Sequence, residues 1–481
     1  SPLTCRAQIR FSPQNRITDL RTGVEFSASH GRQFGDVGVS PADHYSSMRR
    51  NGGFVLDPTD RIVFPHRQFL PYSFLTQTRA EYSTMTLSSL PLSYCTNVHP
   101  GRTVAEVIDG ISNHSAEARR QLEFPMAAGL WLSASVIREL TEQPRLLDQL
   151  AQTLWQHDLC CYTLNTFPYG DFHSDRVKEQ VYLPDWTSPL RATYTEQCAN
   201  LLSQLLPTGA EGSLSTVPLG GRMNPHGPDF HAVCFSYLIR VAKYLHQLFE
   251  TTGRRIRLGL EPEPMCDLSG TEEWTLPTLR RLYQQAEVLG CEPLVREYIG
   301  LCFDVCHQAV EFEDVCHSIS LFEKDGIRIN KVHITNAAEL ENPSGNPEGR
   351  EALCRFVEPR YLHQTYAQFS DGRVESRVDL TEDDIRRDPP DHFLQADRWR
   401  VHFHVPVYAE TLGPLKTTRP ELAAALRRVA QLSYSPHLEV ETYTWPVMPG
   451  DSADSGPCLS DRIAMELRSA AELLQESADA L

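Results

Sequence analysis

Nowhere does this 481-residue chain hold the ~20 consecutive apolar residues that a membrane-crossing helix needs, so no transmembrane segment is expected. C-x-x-C pairs are missing too. The thirteen cysteines are odd in number and lie in apolar segments (Cys160, Cys161, Cys302, Cys306, Cys316), which excludes a zinc ribbon and reads as reduced core thiols. Basic charge is in deficit: 45 Lys and Arg against 62 Asp and Glu give a formal net charge of -17. A general nucleic-acid binder needs a cationic face to neutralise phosphates, so no nucleic-acid partner is expected. No G-x-S-x-G elbow, no Walker loop and no Gly-rich dinucleotide fingerprint occurs, since the GGR at 220–222 lacks the spacing. Serine-hydrolase, P-loop and doubly wound dinucleotide-binding readings fall with them. No basic n-region followed by an apolar h-region opens the chain, and a cytoplasmic location is the expectation.

What is present is ordinary globular composition, 41% hydrophobic and 22% charged, at a length that suits one (β/α)8 barrel with extensions or two or three smaller domains. Residues 1–84 stand apart. They carry ten arginines and no lysine, are rich in Ser, Pro, Gln and Gly, and show no sustained apolar period, so a largely non-globular N-terminal extension is expected there. Met85 then opens a strand-then-helix pattern, and residues 85–481 are expected to form the functional domain.

From Leu92 onward, short strand-like runs alternate with helical stretches, the pattern of βαβ units and a parallel sheet. The runs are LSYCTNV (92–98), AGLWLSA (128–134), LCCYTLNTF (159–167), GSLSTVP (212–218), RIRLGLEP (255–262), IGLCFDVCH (299–307), INKVHIT (329–335) and HLEVETYTW (437–445). Eight of them predict a TIM barrel, with a last helix around 460–476. Two inserts break the rhythm. FPYGDFHSDRVKEQVYLPDW (167–186) mixes aromatics with Arg176, Lys178 and Glu179, as a lid over a polar ligand would. The stretch 336–436 holds a hairpin pattern and the run WRVHFHVPVY. No internal repeat is found.

Four of the runs end in a metal-ready side chain: Glu261, Asp304, His333 and Glu441. A parallel barrel gathers the carboxyl ends of its strands at one face, where such residues become neighbours. Two glutamates, an aspartate and an imidazole suit a divalent ion such as Mn, Mg, Zn or Co. Taken singly, each acid could equally be a strand-terminal group bonded to loop amides. Alternation puts Glu439 and Glu441 on one side of their strand and Glu261 with Glu263 on one side of theirs, and Glu261 is preferred because Pro262 and Pro264 end the strand. His307 could reach a substrate oxygen or orient Asp304. His402 and His404 share a strand face and form a candidate further ligand pair. Asn97, His99, Asn165, His173 and Thr216 follow or end other strands and are candidate substrate contacts.

With Glu261, Asp304 and His307, His333 and Glu441 in that order, the chain resembles the xylose isomerase-like TIM barrels, the sugar phosphate isomerase/epimerase and endonuclease IV superfamily. More narrowly, SYCTNVHPG, LNTFPYGDFH with RVKEQVY, GSLSTVPLG, RVHFHVPVY and HLEVETYTW resemble the EboE-type metabolite traffic proteins, over nearly everything after Met85. The resemblance implies a bacterial protein of small-metabolite processing or traffic. It further implies a metal on Glu261, Asp304, His333 and Glu441, with Glu261 and Glu441 exchanging a proton on the two faces of a substrate carbon and His307 steadying the oxyanion. The long insert before the eighth strand departs from the simple epimerases.

Three functions compete. The first is a metal-dependent isomerase or epimerase acting on a hydroxylated small molecule. A non-catalytic carrier could use the same pocket, and under either reading a small-molecule metabolite is the expected ligand, with a pathway protein or a second copy of the chain a candidate partner. Endonuclease IV-like cleavage shares the barrel but wants a cationic crescent, which the acidic total opposes.

Overall fold

The structure, a computed structural model, describes residues 90–387, 391–449 and 456–480, together with three short strands nearer the start of the chain. Those strands, Ile9–Phe11, Arg16–Asp19 and Glu25–Ser27, pair antiparallel in that order. Otherwise the expectation for residues 1–84, and the start at Met85, lie outside the described residues.

From Leu92 the chain builds a closed ring of eight parallel strands. They are β1 (Leu92–Cys95), β2 (Met126–Trp131), β3 (Thr163–Asn165), β4 (Gly212–Thr216), β5 (Ile256–Leu260), β6 (Ile299–Asp304), β7 (Ile329–Ile334) and β8 (His437–Val440). Each pairs with the next, and β8 returns to β1 with Glu439 opposite Ser93. This is the (β/α)8 barrel that the alternating pattern predicts. The third run differs in detail: Leu159–Cys160 pairs with the start of β2, and the ladder breaks before resuming at Thr163. At the break Tyr162 turns its ring edge-on to His437 and donates its hydroxyl to the Pro91 carbonyl at 2.6 Å.

Helices fill the intervals. The apolar period over 136–156 makes two helices, Ala134–Glu142 and Pro144–Gln156, because Pro144 has no N–H to continue the first and is well suited to open the second. Phe230–Thr252 stops at Gly253, whose φ of 69° is the left-handed conformation that ends many helices. Leu459–Asp479 is the last helix.

Strand alternation sorts the residues. Leu301, Phe303, Val332, Ile334, Leu438 and Val440 join the aliphatic core shared with the helices, each buried side chain of this size contributing about 1.5–3 kcal/mol. Inside the ring the residues are small or polar. Thr163 and Ser213 share a 2.8 Å hydrogen bond, Ser93 donates to Glu439 at 2.8 Å, and Lys331 reaches Ser215 at 3.3 Å. Gly129 leaves the room they need: a Cβ there would lie 1.4 Å from Glu439 Oε2.

Much of the stretch 336–436 is ordered as a sheet. Six strands form an antiparallel sheet in the order Val374–Arg377, Thr365–Gln368, Arg398–His404, Ala337–Glu341, Leu415–Thr417, Thr411–Leu412. The expected hairpin is Thr365–Gln368 with Val374–Arg377, and WRVHFHVPVY supplies the central strand. This sheet has a core of its own around Trp399, Phe403 and Leu340. Helix Arg419–Val429 then leads back to β8.

Candidate metal centre

Each of the four expected ligands stands at the carboxyl end of its strand or one residue past it, and they converge. Glu261, Asp304, His333 and Glu441 each bring one ligand atom within 4.8 Å of the others, and all four are buried. His333 Nδ1 is the hub, 3.0 Å from Glu261 Oε1, 3.2 Å from Glu441 Oε2 and 3.4 Å from Asp304 Oδ2. Asp304 caps the helix Val305–Val310. Its Oδ1 accepts from the His307 N–H at 3.1 Å and from Thr335 Oγ1 at 2.6 Å, which leaves Oδ2 turned into the site without a partner. Glu261 Oε2 is likewise buried and unpartnered. Three carboxylates around one imidazole, two with an unsatisfied oxygen, are a donor set that a divalent cation fits, because buried like charges are costly without one.

The electrostatics follow. Burial alone would lower the His333 imidazole, but Cys302, Glu441 and Glu261 carry it well above its usual value, the direction expected of a base ringed by acids. Burial raises the Glu441 carboxyl, with Glu261 and Asp304 adding repulsion and His333 opposing. Burial also works against Asp304, but His307, His404 and His333 prevail and hold its carboxyl far below the usual range.

Asn97 and Asn165 both face the centre. Each donates from Nδ2 to Glu441 Oε1, at 2.8 Å and 2.6 Å, so they orient the carboxylate whatever they do for a substrate. His173 is a step away, its Nε2 2.8 Å from the Asn97 carbonyl and its ring beside Trp131 and Phe172. His99 lies behind the strand end, packed on Gly110 and His114 and outside the cavity lining. Thr216 is buried at the end of β4 with an unpartnered Oγ1, also outside that lining. His307 lines the cavity, as do His402 and His404 from the central strand of the insert sheet.

The two inserts meet over the centre. The backbone N–H groups of Val177 and Lys178 donate to the Arg360 carbonyl, and Lys178 Nζ pairs with Asp379 at 2.5 Å. Phe172, Tyr361 and Tyr443 pack ring against ring, with centroids 4.9 to 5.2 Å apart, into an aromatic roof. Glu263, Gln364 and Tyr182 form a wall. Tyr182 donates to Glu263 Oε1 at 2.6 Å, and Gln364 Nε2 reaches the same oxygen at 3.4 Å. Gln364 and Tyr361 have no local sequence signal. Lys331 and Glu439, directly beneath His333, do: each lies two residues before a ligand on the same strand face.

No family model matches the chain, and no curated protein does. Among solved structures it is similar to a D-tagatose 3-epimerase-like protein, at 11% identity over 81% of this chain and 99% of that one, with a TM-score of 0.39. It is similar also to the IolI protein with a bound zinc atom, at 11% identity over 80% and 99% with a TM-score of 0.40. A third is a D-allulose 3-epimerase from Methylomonas sp., at 14% identity over 51% and 71% with a TM-score of 0.33. Overlap of this extent says nothing of the reaction, and the barrel stands on its own strand pairing. Among the described residues no helix is long and apolar enough to cross a membrane, and the twelve cysteines are free.

Proposed function

We propose that the chain is a divalent-metal-dependent isomerase or epimerase acting on a hydroxylated small molecule in a metabolite-processing pathway. The supporting observation is the meeting of Glu261, Asp304, His333 and Glu441 at one end of the barrel, with two carboxylate oxygens unpartnered. A divalent ion held there would polarise a substrate oxygen and acidify the neighbouring C–H. Glu261 and Glu441 reach the centre from β5 and β8, on either side of His333 Nδ1. One takes the proton as base and the other, protonated, returns it as acid. Asn97 and Asn165 fix Glu441 Oε1 and leave Oε2 for the exchange. The aromatic roof excludes water while the proton is in transit.

The test is solvent exchange. Full-length protein with Mn2+ and D-tagatose or D-allulose in D2O is expected to incorporate deuterium beside the carbonyl, and EDTA or Glu261→Gln to stop it. A purified chain that retains no divalent ion overturns the reading. Metal retention without exchange on any hydroxycarbonyl compound supports the carrier instead, for which the apolar roof is equally suited.

A further inference from the structure

Outside the barrel centre, where the loop after β4 meets the loop after β5, we propose a zinc or cobalt site formed by His226, His231 and Asp267. A short ribbon brings the two loops together. Gly221 bridges Cys266, the Arg222 N–H donates to the Met265 carbonyl at 3.1 Å, and the Asp267 N–H donates to the Gly220 carbonyl at 3.0 Å. His226 is held on Phe230, with ring centroids 3.7 Å apart, and Gly220 gives it room, since a Cβ there would lie 3.1 Å from His226 Cε1. His231 is the second residue of helix Phe230–Thr252. None of the three lines the cavity over the barrel centre, so this site stands apart from the function proposed above.

Each oxygen of the Asp267 carboxylate has its own imidazole. His226 Nε2 is 3.0 Å from Oδ2, and His231 Nε2 is 4.0 Å from Oδ1. The shorter contact is not a hydrogen bond: His226 Nε2 and Asp267 Oδ2 are both buried and both without a partner, so ring and carboxylate stand side by side rather than head to tail. With Asp267 only 8% exposed, an unanswered oxygen of that kind is costly. Burial pushes its carboxyl up to about 6 against the pull of His226 and Arg222, and the buried Asp185 adds its repulsion. The Arg222 guanidinium itself is turned to the Trp274 ring, 4.0 Å from the centroid, and to Ser269 Oγ at 3.2 Å. A divalent cation answers the open oxygen and the open nitrogen at once.

Ligand atoms held ~2.0–2.2 Å from a tetrahedral ion stand about 3.3–3.6 Å apart, between the two separations observed. His231 makes the closing swing. Its ring lies beside Phe230 and Phe235, and among the described residues no hydrogen bond holds it. Two imidazoles and one carboxylate select zinc or cobalt over magnesium or calcium, with water at the fourth position. The side chains of His231 and His226, 30% and 17% exposed, leave the ion a way in from solvent. Bound there, it pins the loop after β4 to the loop that carries Glu261 and Glu263, and braces the cavity wall from outside.

Zinc binding tests the site. Crystals of the full-length chain, stripped with chelator and returned to micromolar Zn2+, are measured at the zinc absorption edge. An anomalous peak within bonding reach of the Asp267 carboxylate and both Nε2 atoms is expected, and it should vanish in His231→Ala while any peak among Glu261, Asp304, His333 and Glu441 stays. In solution, competition with a chromophoric chelator should count one tightly held ion fewer per chain in His231→Ala and in Asp267→Asn than in the parent. His231→Ala, at a half-exposed position, carries the decision should Asp267→Asn fail to fold. An unchanged count in His231→Ala, or a peak beside Asp267 that needs millimolar zinc and so marks an adventitious ion only, overturns the site and leaves the barrel centre standing. A peak beside Asp267 with none in the barrel would keep this site and remove the metal reading of the other.

Discussion

Lys331 Nζ lies 2.5 Å from Glu439 Oε1 inside the barrel, with both side chains wholly shielded from water. Burial alone would raise the Glu439 carboxyl, but Lys331 and His333 hold it at about 2. The pair is the floor of the candidate centre, since His333 Nε2 stands 3.4 Å from the same Oε1, which leaves Nδ1 toward Glu261, Asp304 and Glu441. Removing one partner strands the other. Lys331→Met is therefore expected to cost about 3–5 kcal/mol in urea unfolding, and the double variant Lys331→Met/Glu439→Gln to recover more than half of it. Equal losses in the single and double variants would mean that packing, not charge, accounts for the effect.

Asn165 supports Glu441 from β3 by a 2.6 Å hydrogen bond and itself accepts the Phe167 N–H at 3.0 Å. Asn165→Ala is expected to weaken divalent-metal affinity by about 10–100-fold, the usual effect of losing a group that orients a ligand. Glu441→Gln, which removes a ligand charge, should weaken it further with little change in melting temperature, because the aliphatic layers outside the strands are untouched. Isothermal titration with Mn2+ reads both. Unchanged affinity in Glu441→Gln would remove that residue from the ligand set.

The barrel and its four converging side chains were legible because both rest on local periodicity. A strand announces itself by its apolar run, and parallel topology brings strand ends together wherever they fall in sequence. The same alternation places Glu439 and Lys331 on the ligand face, although nothing local says that one would neutralise the other. The insert was harder. Thr365–Gln368, Arg398–His404 and Ala337–Glu341 are joined only by long-range pairing, and a sheet of that kind leaves no regular spacing to count. Gln364 and Tyr361 reach the cavity through it. His99 shows the opposite failure, a polar residue after a strand that turns back against helix Val104–Gly110 instead of forward into the cavity.

His99 also gives the protein an acid-sensitive element. Burial, then His114, lowers its pKa to about 4, against an ordinary value near 6.5. Between those values the unfolded chain binds a proton that the folded chain refuses, so stability is complete above about pH 6.5 and falls as the pH drops toward 4. The expected loss from this group between pH 7 and pH 5 is about 2 kcal/mol. His99→Gln should flatten that part of the stability profile in urea titrations at the two pH values. An unaltered slope would assign the acid sensitivity to other groups.

Glu466 of the last helix collects four hydrogen bonds at full burial. Thr442 Oγ1 and the Val407 N–H donate to Oε1 at 2.6 and 3.1 Å, and Tyr94 Oη and Trp445 Nε1 donate to Oε2 at 2.6 and 2.9 Å. One carboxylate thus ties β1, the exit of β8 and the segment leaving the insert sheet to the helix that closes the ring. Thr442 follows Glu441 directly, so the tether sets where that ligand points. In Glu466→Gln the amide nitrogen must face one of two N–H donors or force the side chain to shift, an expected cost of about 1–3 kcal/mol. Glu466→Leu, which leaves four buried donors unanswered, should cost more. Both variants should also lose Mn2+ affinity although Glu466 touches no ligand, because Glu441 would no longer be held against Asn97 and Asn165. Metal affinity that stays at the parent value while stability falls would show that the strand end holds its position without the helix.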